Sequence, residues 1–184
     1  LNGVSLCADH PVESASWEDD QRFIKRLNEL QDQYTYRLPT EAEREYAGRG
    51  GMPSNWPYSF GFNDANQLFG YAWFDRNSGG RTHPVATKKA NPYGLYDMNG
   101  NVCENTQDWR SDYPKTAVTD PTGPVNFAAN DPHKIARGGS FHRSAHYNPS
   151  AYRNHAIPDI RYFDTGLRLV RSPSDLARRM PISP

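Results

Sequence analysis

The 184-residue chain is poor in cysteine and has no charge of one sign to spare. Cys7 and Cys103 are its two cysteines, too few for a disulfide-scaffolded mini-protein or a four-cysteine zinc module. The 21 basic and 21 acidic residues cancel, which excludes a binder that holds nucleic acid by neutralising phosphates. No apolar run approaches the ~18 residues of a membrane span. Leu1 to Ala8 lacks the basic start and apolar middle of a signal peptide, so no membrane insertion is expected and the compartment is left open. Apolar residues make up 36% of the chain, a low share that in isolation points toward disorder. Aromatics at 12% point the other way, with 11 Tyr, 8 Phe and 4 Trp. Glycine and proline are spread through turn-like settings, so the composition describes a loop-rich domain built on aromatic anchors.

Two helices are legible, both early. Ser16 has N-cap chemistry with Asp19 three residues on, followed by Phe23, Ile24, Leu27 and Leu30 as one apolar stripe. Thr40 with Glu43 has capping-box spacing, Tyr46 and Ala47 are expected to face inward, and Gly48 or Gly50 ends the helix. Beyond Gly50 the chain breaks into short runs at Tyr71 to Phe74, Tyr93 to Met98, Val102 to Trp109, Ile135 to Phe141 and Thr165 to Arg171. Asn77-Ser78-Gly79-Gly80, Asn99-Gly100, Asp120-Pro121-Thr122-Gly123 and Asn130-Asp131-Pro132 punctuate them. Helices followed by short strands define an α+β pattern. One domain over residues 1–171 is expected, with 172–184 as an exposed tail.

Several ordered blocks carry a resemblance. They are Arg37-Leu-Pro-Thr-Glu-Ala-Glu43 with Glu45-Tyr46-Ala47 and Arg49-Gly50-Gly51, then Asn91-Pro-Tyr-Gly-Leu-Tyr-Asp-Met98 with Gly100-Asn101-Val102, Glu104 and Asp108-Trp109. Arg137-Gly-Gly-Ser-Phe141 and Gly166-Leu-Arg168 follow, and Pro11-Val12-Glu13 with Ser16-Trp17 opens the series. The set resembles the formylglycine-generating-enzyme-like family from about residue 11 to about 171. The resemblance implies a C-type-lectin-like fold with two helices, a small twisted antiparallel sheet and many loops. Arg44, Cys103 and Asn105 stand where relatives commonly carry tryptophan, and Phe141 and Leu167 replace Trp and Phe. Apart from the resemblance, a buried Arg37 or Arg168 needs carboxylate or carbonyl partners, and Glu43, Glu45 and Glu104 are at hand.

Enzymes of this family bind copper through a cysteine pair shortly after the Arg-Gly-Gly-Ser block. This chain has His142, Arg143, Ser144, Ala145, His146, Tyr147 and Asn148 there and no cysteine after Cys103, so the thiolate chemistry has no thiolate. His142, His146 and His155, with Asp159 and Asp164, include transition-metal ligand types, but Pro149 and Pro158 put them on loops where nothing makes them converge. The resemblance also implies a structural calcium site at Asp97, Gly100, Val102 and Glu104. Two carboxylates and turn carbonyls suit a hard cation, and arginine or backbone N–H groups would neutralise the same carboxylates equally well.

Residues 142–165 differ in character from the rest. They contain no Lys, Glu, Gln, Met or Trp, types that account for 24 of the 184 residues. About three are expected in a segment of this length. These five are the residues that codons ending in a pyrimidine cannot encode, whereas Asn codons randomised at their adenines yield His, Tyr, Ser, Arg, Ala, Ile, Phe, Asp and Thr. The pattern is similar to the variable region of proteins diversified by diversity-generating retroelements. That resemblance implies a ligand-binding protein whose variable positions are His142, Arg143, Ser144, His146, Tyr147, Tyr152, His155, Ala156, Ile157, Ile160, Tyr162, Phe163 and Asp164, with Asn148, Asn154 and Thr165 as additions. Ala145, Ser150-Ala151, Arg153, Pro158-Asp159, Arg161 and Gly166 would be the retained scaffold. The residue types suit a paratope, with a protein or other macromolecule as partner, and no cofactor is required beyond the calcium just described. The alternative is a non-catalytic or oxidoreductase-like family member that binds a substrate in the same pocket.

Overall fold

Ser16 starts the first helix as its spacing predicts. The computed structural model describes residues 8–31, 33–61 and 65–174. In it Ser16 Oγ accepts from Asp19 N at 3.1 Å, the Asp19 carboxylate accepts from Ser16 N at 3.1 Å, and α1 runs Trp17–Glu29. Thr40 and Glu43 form the same reciprocal pair at 3.0 and 2.8 Å ahead of α2 (Glu41–Arg49), which ends on Gly50 in the left-handed region at φ 61°. Between them β1 (Tyr34–Arg37) is held by Asn28, whose side chain bonds both the N–H and the C=O of Tyr36.

The inward faces differ from the apolar stripes. On α1 the buried residues are Asp20 and Ile24, while Phe23 and Leu30 are exposed. On α2 they are Glu41, Arg44 and Gly48, while Tyr46 points to solvent and meets the Tyr93 ring at a tilt of 43°. Positions 41, 44 and 48 share one face of a helix, and here that face is charged because its partners are charged.

A third helix, α3 (Ala65–Tyr71), was not anticipated. It carries Leu68 into a cluster with Tyr58, Ala72 and Phe74, so the run from Tyr71 is a helix end and a loop, not a strand. Stacked rings at Tyr58–Phe60 and Phe60–Tyr71, 4.9 and 4.2 Å apart, confirm the aromatic anchoring. The run Tyr93 to Met98 is a series of turns, because Asn91 Oδ1 accepts from Tyr93 N and Leu95 N at 3.0 Å each.

The main sheet has the order β4-β3-β2-β5, built from β2 (Cys103–Trp109), β3 (Lys134–Arg137), β4 (Asn154–Ala156) and β5 (Thr165–Leu167). It is mixed, since β2 runs antiparallel to β3 but parallel to β5. A separate antiparallel pair joins β1 to β6 (Val170–Pro173). The expected tail boundary therefore moves outward: Ser172 and Pro173 are ladder residues opposite Thr35 and Tyr34. Leu1 to Cys7 and residues 175–184 lie outside the described residues.

Asp20 is the weak point of α1. It is buried, accepts from Asn105 Nδ2 at 2.8 Å and has no cation beside it among the described residues, and burial pushes its carboxyl up to about 6. A folded value above the unfolded one means that the contribution of Asp20 to stability is greatest in acid and is lost as pH rises through about 6. Asp20→Asn keeps an acceptor for Asn105 and removes the buried charge. Denaturant titrations should show a gain of about 1–3 kcal/mol at pH 7 that vanishes near pH 3.

Candidate functional site

The segment that follows β3 is held by its backbone. Phe141 N donates to Asn101 O at 2.7 Å and Ser78 Oγ donates to Phe141 O at 2.7 Å. Asp75 N bonds Arg143 O at 3.1 Å, Tyr58 OH bonds Ala145 O at 3.1 Å, and Ser150 N bonds Pro57 O at 2.8 Å. Asn99 and Asn148, both buried, exchange side-chain amide to main-chain carbonyl bonds, one of them at 2.8 Å. Glycine is required just before this clamp. Gly139 has φ 65°, and a Cβ there would lie 2.7 Å from Asn148 Cγ; at Gly138, φ 107°, a Cβ would lie 2.6 Å from Arg44 Nη2.

The second half of the segment is held by salt bridges. Arg137, 1% exposed, donates Nη1 to Ser150 O at 2.9 Å and to Tyr152 O at 3.3 Å. Its other nitrogens meet Glu41 Oε1 at 2.5 and 3.1 Å and Glu45 Oε2 at 2.7 Å. Arg153 grips the same Glu41 carboxylate at 2.6 and 2.7 Å. Further on, Glu18 N donates to Pro158 O at 3.1 Å, and Arg161 forms a two-point pair with Asp19 at 2.7 and 3.0 Å. Ser150, Arg153, Pro158 and Arg161, which the sequence marks as scaffold, thus all serve as anchors.

Side chains between these anchors gather into two groups of rings, His142 with Phe163 and His146 with Tyr147 and Tyr152. Phe163, 53% exposed, lies 5.0 Å from the His142 ring. Tyr147 meets Tyr152 edge to face at 5.1 Å and His146 at 5.5 Å, and the Arg143 guanidinium sits 5.7 Å from the Tyr147 ring. Ser144 and Tyr162 are half-buried; Ile157 and Ile160 are exposed. His155 leaves β4 toward His133, ring centres 4.9 Å apart, so it is away from the His142 and His146 rings. Among the described residues no group of three or more His, Cys, Asp or Glu could hold a metal ion, so His142, His146, His155, Asp159 and Asp164 do not converge.

Two of the thirteen marked positions, Ala156 and Asp164, are interior. Ala156, 5% exposed, is paired opposite Lys134 in the sheet. Asp164, 3% exposed, accepts from Ser140 Oγ at 2.9 Å and Arg143 Nε at 3.1 Å, so it braces Arg143. Asn148 and Thr165 are also buried, which removes them as variable additions, while Asn154 is half-buried. Cys103 lies under Tyr147 and Tyr152 with Asn154 Nδ2 3.7 Å from its sulfur, and burial pushes its thiol up to about 12. A thiol in that range is neither nucleophile nor thiolate ligand at neutral pH.

The four residues marked for calcium line a separate cavity of about 370 Å³. Glu104 is already neutralised: Arg44 Nε lies 2.5 Å from Oε2, and Arg168 bonds both oxygens at 2.8 to 3.0 Å. Burial would raise Glu104, but the two guanidiniums outweigh it and hold the carboxyl below its ordinary range. Asp97 Oδ2 accepts from Ala86 N at 2.8 Å, and its buried Oδ1 has no hydrogen-bond partner among the described residues. With one carboxylate consumed and the Arg168 cation lining the same cavity, the residues do not fit a dication.

This architecture is that of a C-type-lectin-like domain of the formylglycine-generating type. The Sulfatase-modifying factor enzyme 1-like domain model matches residues 2–173, and the chain belongs to that family. It is 32% identical over 174 residues to the formylglycine-generating enzyme of Mus musculus, covering 88% of this chain and 44% of the relative. It is 35% identical over 155 residues to the chaperone protein LppX of Paenibacillus barcinonensis, covering 74% and 49%. The chain thus spans about half the length of these curated relatives. Among solved structures, Treponema denticola variable protein 1 superposes with a TM-score of 0.80 at 30% identity, over 94% of this chain and 75% of that one. PvdO from Pseudomonas aeruginosa superposes at 0.75 with 28% identity, over 89% and 62%. Among the described residues no helix is long and apolar enough to cross a membrane.

Proposed function

We propose that the chain is a ligand-binding protein that displays a hypervariable face, diversified by a retroelement, on a C-type-lectin scaffold. The displaying residues are His142, Arg143, Ser144, His146, Tyr147, Tyr152, His155, Ile157, Ile160, Tyr162 and Phe163. The observation that carries this reading is the division of labour in the segment: buried partners hold the backbone, while the side chains between anchors are left largely unused by the fold. Such a face can change residue by residue without dismantling its support. The likeness to a protein named as variable supports the same reading.

The reading excludes catalysis by the family's copper chemistry, because the stretch after Ser140 holds His142 to Asn148 where the cysteine pair belongs. It also dispenses with calcium, since Arg44 and Arg168 supply the positive charge that Glu104 needs. The partner is a macromolecular surface. The cavity among Arg143, Tyr147 and Tyr152 measures about 10 Å³, room for about one water, so the rings meet a ligand as a face and not as a pocket.

Alanine at Tyr147, Tyr152 or Phe163 should each lower stability by under about 1 kcal/mol in urea titrations. Alanine at the anchors Asn148 or Arg153 should cost about 2 kcal/mol or more, because each leaves buried polar partners unmet. Losses of about 3 kcal/mol at the aromatic positions would place them in the core and end the display reading.

A further inference from the structure

A cavity of about 600 Å³ opens between α2, the end of β2 and the loop 111–124, within the size range of small-ligand sites. Part of its wall is apolar: Trp109, Tyr113, Val118, Pro114, Pro121 and Pro124. Five carboxylates and two guanidiniums line it as well. Glu41 and Glu45 are satisfied by Arg137, Arg153 and Arg49, so they offer an occupant little.

Asp108 is different. It is 4% exposed, and the one hydrogen bond that its carboxylate accepts among the described residues is from Glu41 N to Oδ2, at 2.7 Å. No cation pairs with it there. The nearby Lys134 ammonium is turned away, donating to Gln107 O at 2.9 Å and lying 3.7 Å from the Trp109 ring centre. The Arg137 guanidinium is spent on Glu41, Glu45 and the carbonyls of Ser150 and Tyr152. The loop crosses the free oxygen at Gly123, whose φ is 71° and where a Cβ would lie 2.6 Å from Oδ1. A desolvated carboxylate with an unused acceptor in an apolar-walled cavity lacks one thing, a charged donor.

We propose that this cavity is a second binding site, separate from the displayed face, and that it takes a primary ammonium group carried on an apolar body. The ammonium donates to Asp108 Oδ1 and the apolar body lies along the proline, valine and tryptophan wall. A free alkyl or arylalkyl amine and a lysine side chain on a peptide share that chemistry.

Isothermal titration of the full chain with benzylamine, benzyl alcohol and N-acetyl-lysine methylamide tests it. Either ammonium ligand should bind saturably and at least tenfold tighter than the neutral alcohol. The tighter of the two identifies the source as free amine or lysine. Asp108→Asn keeps an acceptor for Glu41 N and should weaken the ammonium ligand at least tenfold. Val118→Trp, on the exposed wall, should block binding while leaving the far-UV circular dichroism native. Ammonium and alcohol binding alike, or binding that survives both substitutions, would overturn the proposal.

Discussion

Replacing Arg137 with methionine should cost about 3–5 kcal/mol in denaturant titrations, the scale expected when one partner of a buried charge pair is removed. Methionine fills much of the volume, so the loss is electrostatic. Glu41 would keep only Arg153 as a charged partner, and the carbonyls of Ser150 and Tyr152 would lose their donor. Because the same guanidinium ties α2 to the main chain at Ser150 and Tyr152, amide hydrogens of residues 150–156 should exchange faster than those of α1. A loss below about 1 kcal/mol would mean that the segment is carried by something other than this network.

Glu104→Gln should be comparably damaging, about 3–5 kcal/mol, since it leaves Arg44 and Arg168 facing each other without the shared anion. Arg44 is the more exacting member, because its guanidinium is buried and, among the described residues, has only Met98 O, at 3.0 Å, as a further acceptor. The pH dependence follows. A carboxyl held below its ordinary range adds stability that is fully present above its unfolded value and is lost as pH falls through the folded one. The parent protein should therefore lose part of its margin over the variant in strong acid. Chelation should leave the parent's melting temperature unchanged; a drop on chelation that calcium restores would mean that a metal shares Glu104 with the arginines.

The helix starts were legible because caps are local. Ser16 with Asp19 and Thr40 with Glu43 act within one turn, so spacing alone reveals them. The helix faces were not, because α2 buries Glu41 and Arg44 against partners that arrive from residues 104 and 137, and no apolar pattern records a charged interior. The arginines show the same limit. Arg37, read as a candidate for burial, is a half-exposed partner of Glu43, whereas Arg44 and Arg137 are the interior ones. Residues 142–165 stood out through the residue types they lack, and Arg153 and Arg161, which pair with Glu41 and Asp19, could be told from the positions marked as variable. Ala156 and Asp164 could not, because a small strand residue and a buried aspartate satisfy the same codon pattern as exposed ones.

The most direct test of the display account is deep sequencing of the codons for residues 136–171 across the source population. The account predicts substitutions concentrated at the eleven displayed positions from His142 to Phe163, at codons reached by changing adenines. Arg137-Gly-Gly-Ser, Asn148, Arg153, Arg161, Asp164 and Gly166-Leu-Arg168 should stay fixed. A uniform segment, or variation spread equally over anchors and displayed residues, would contradict it.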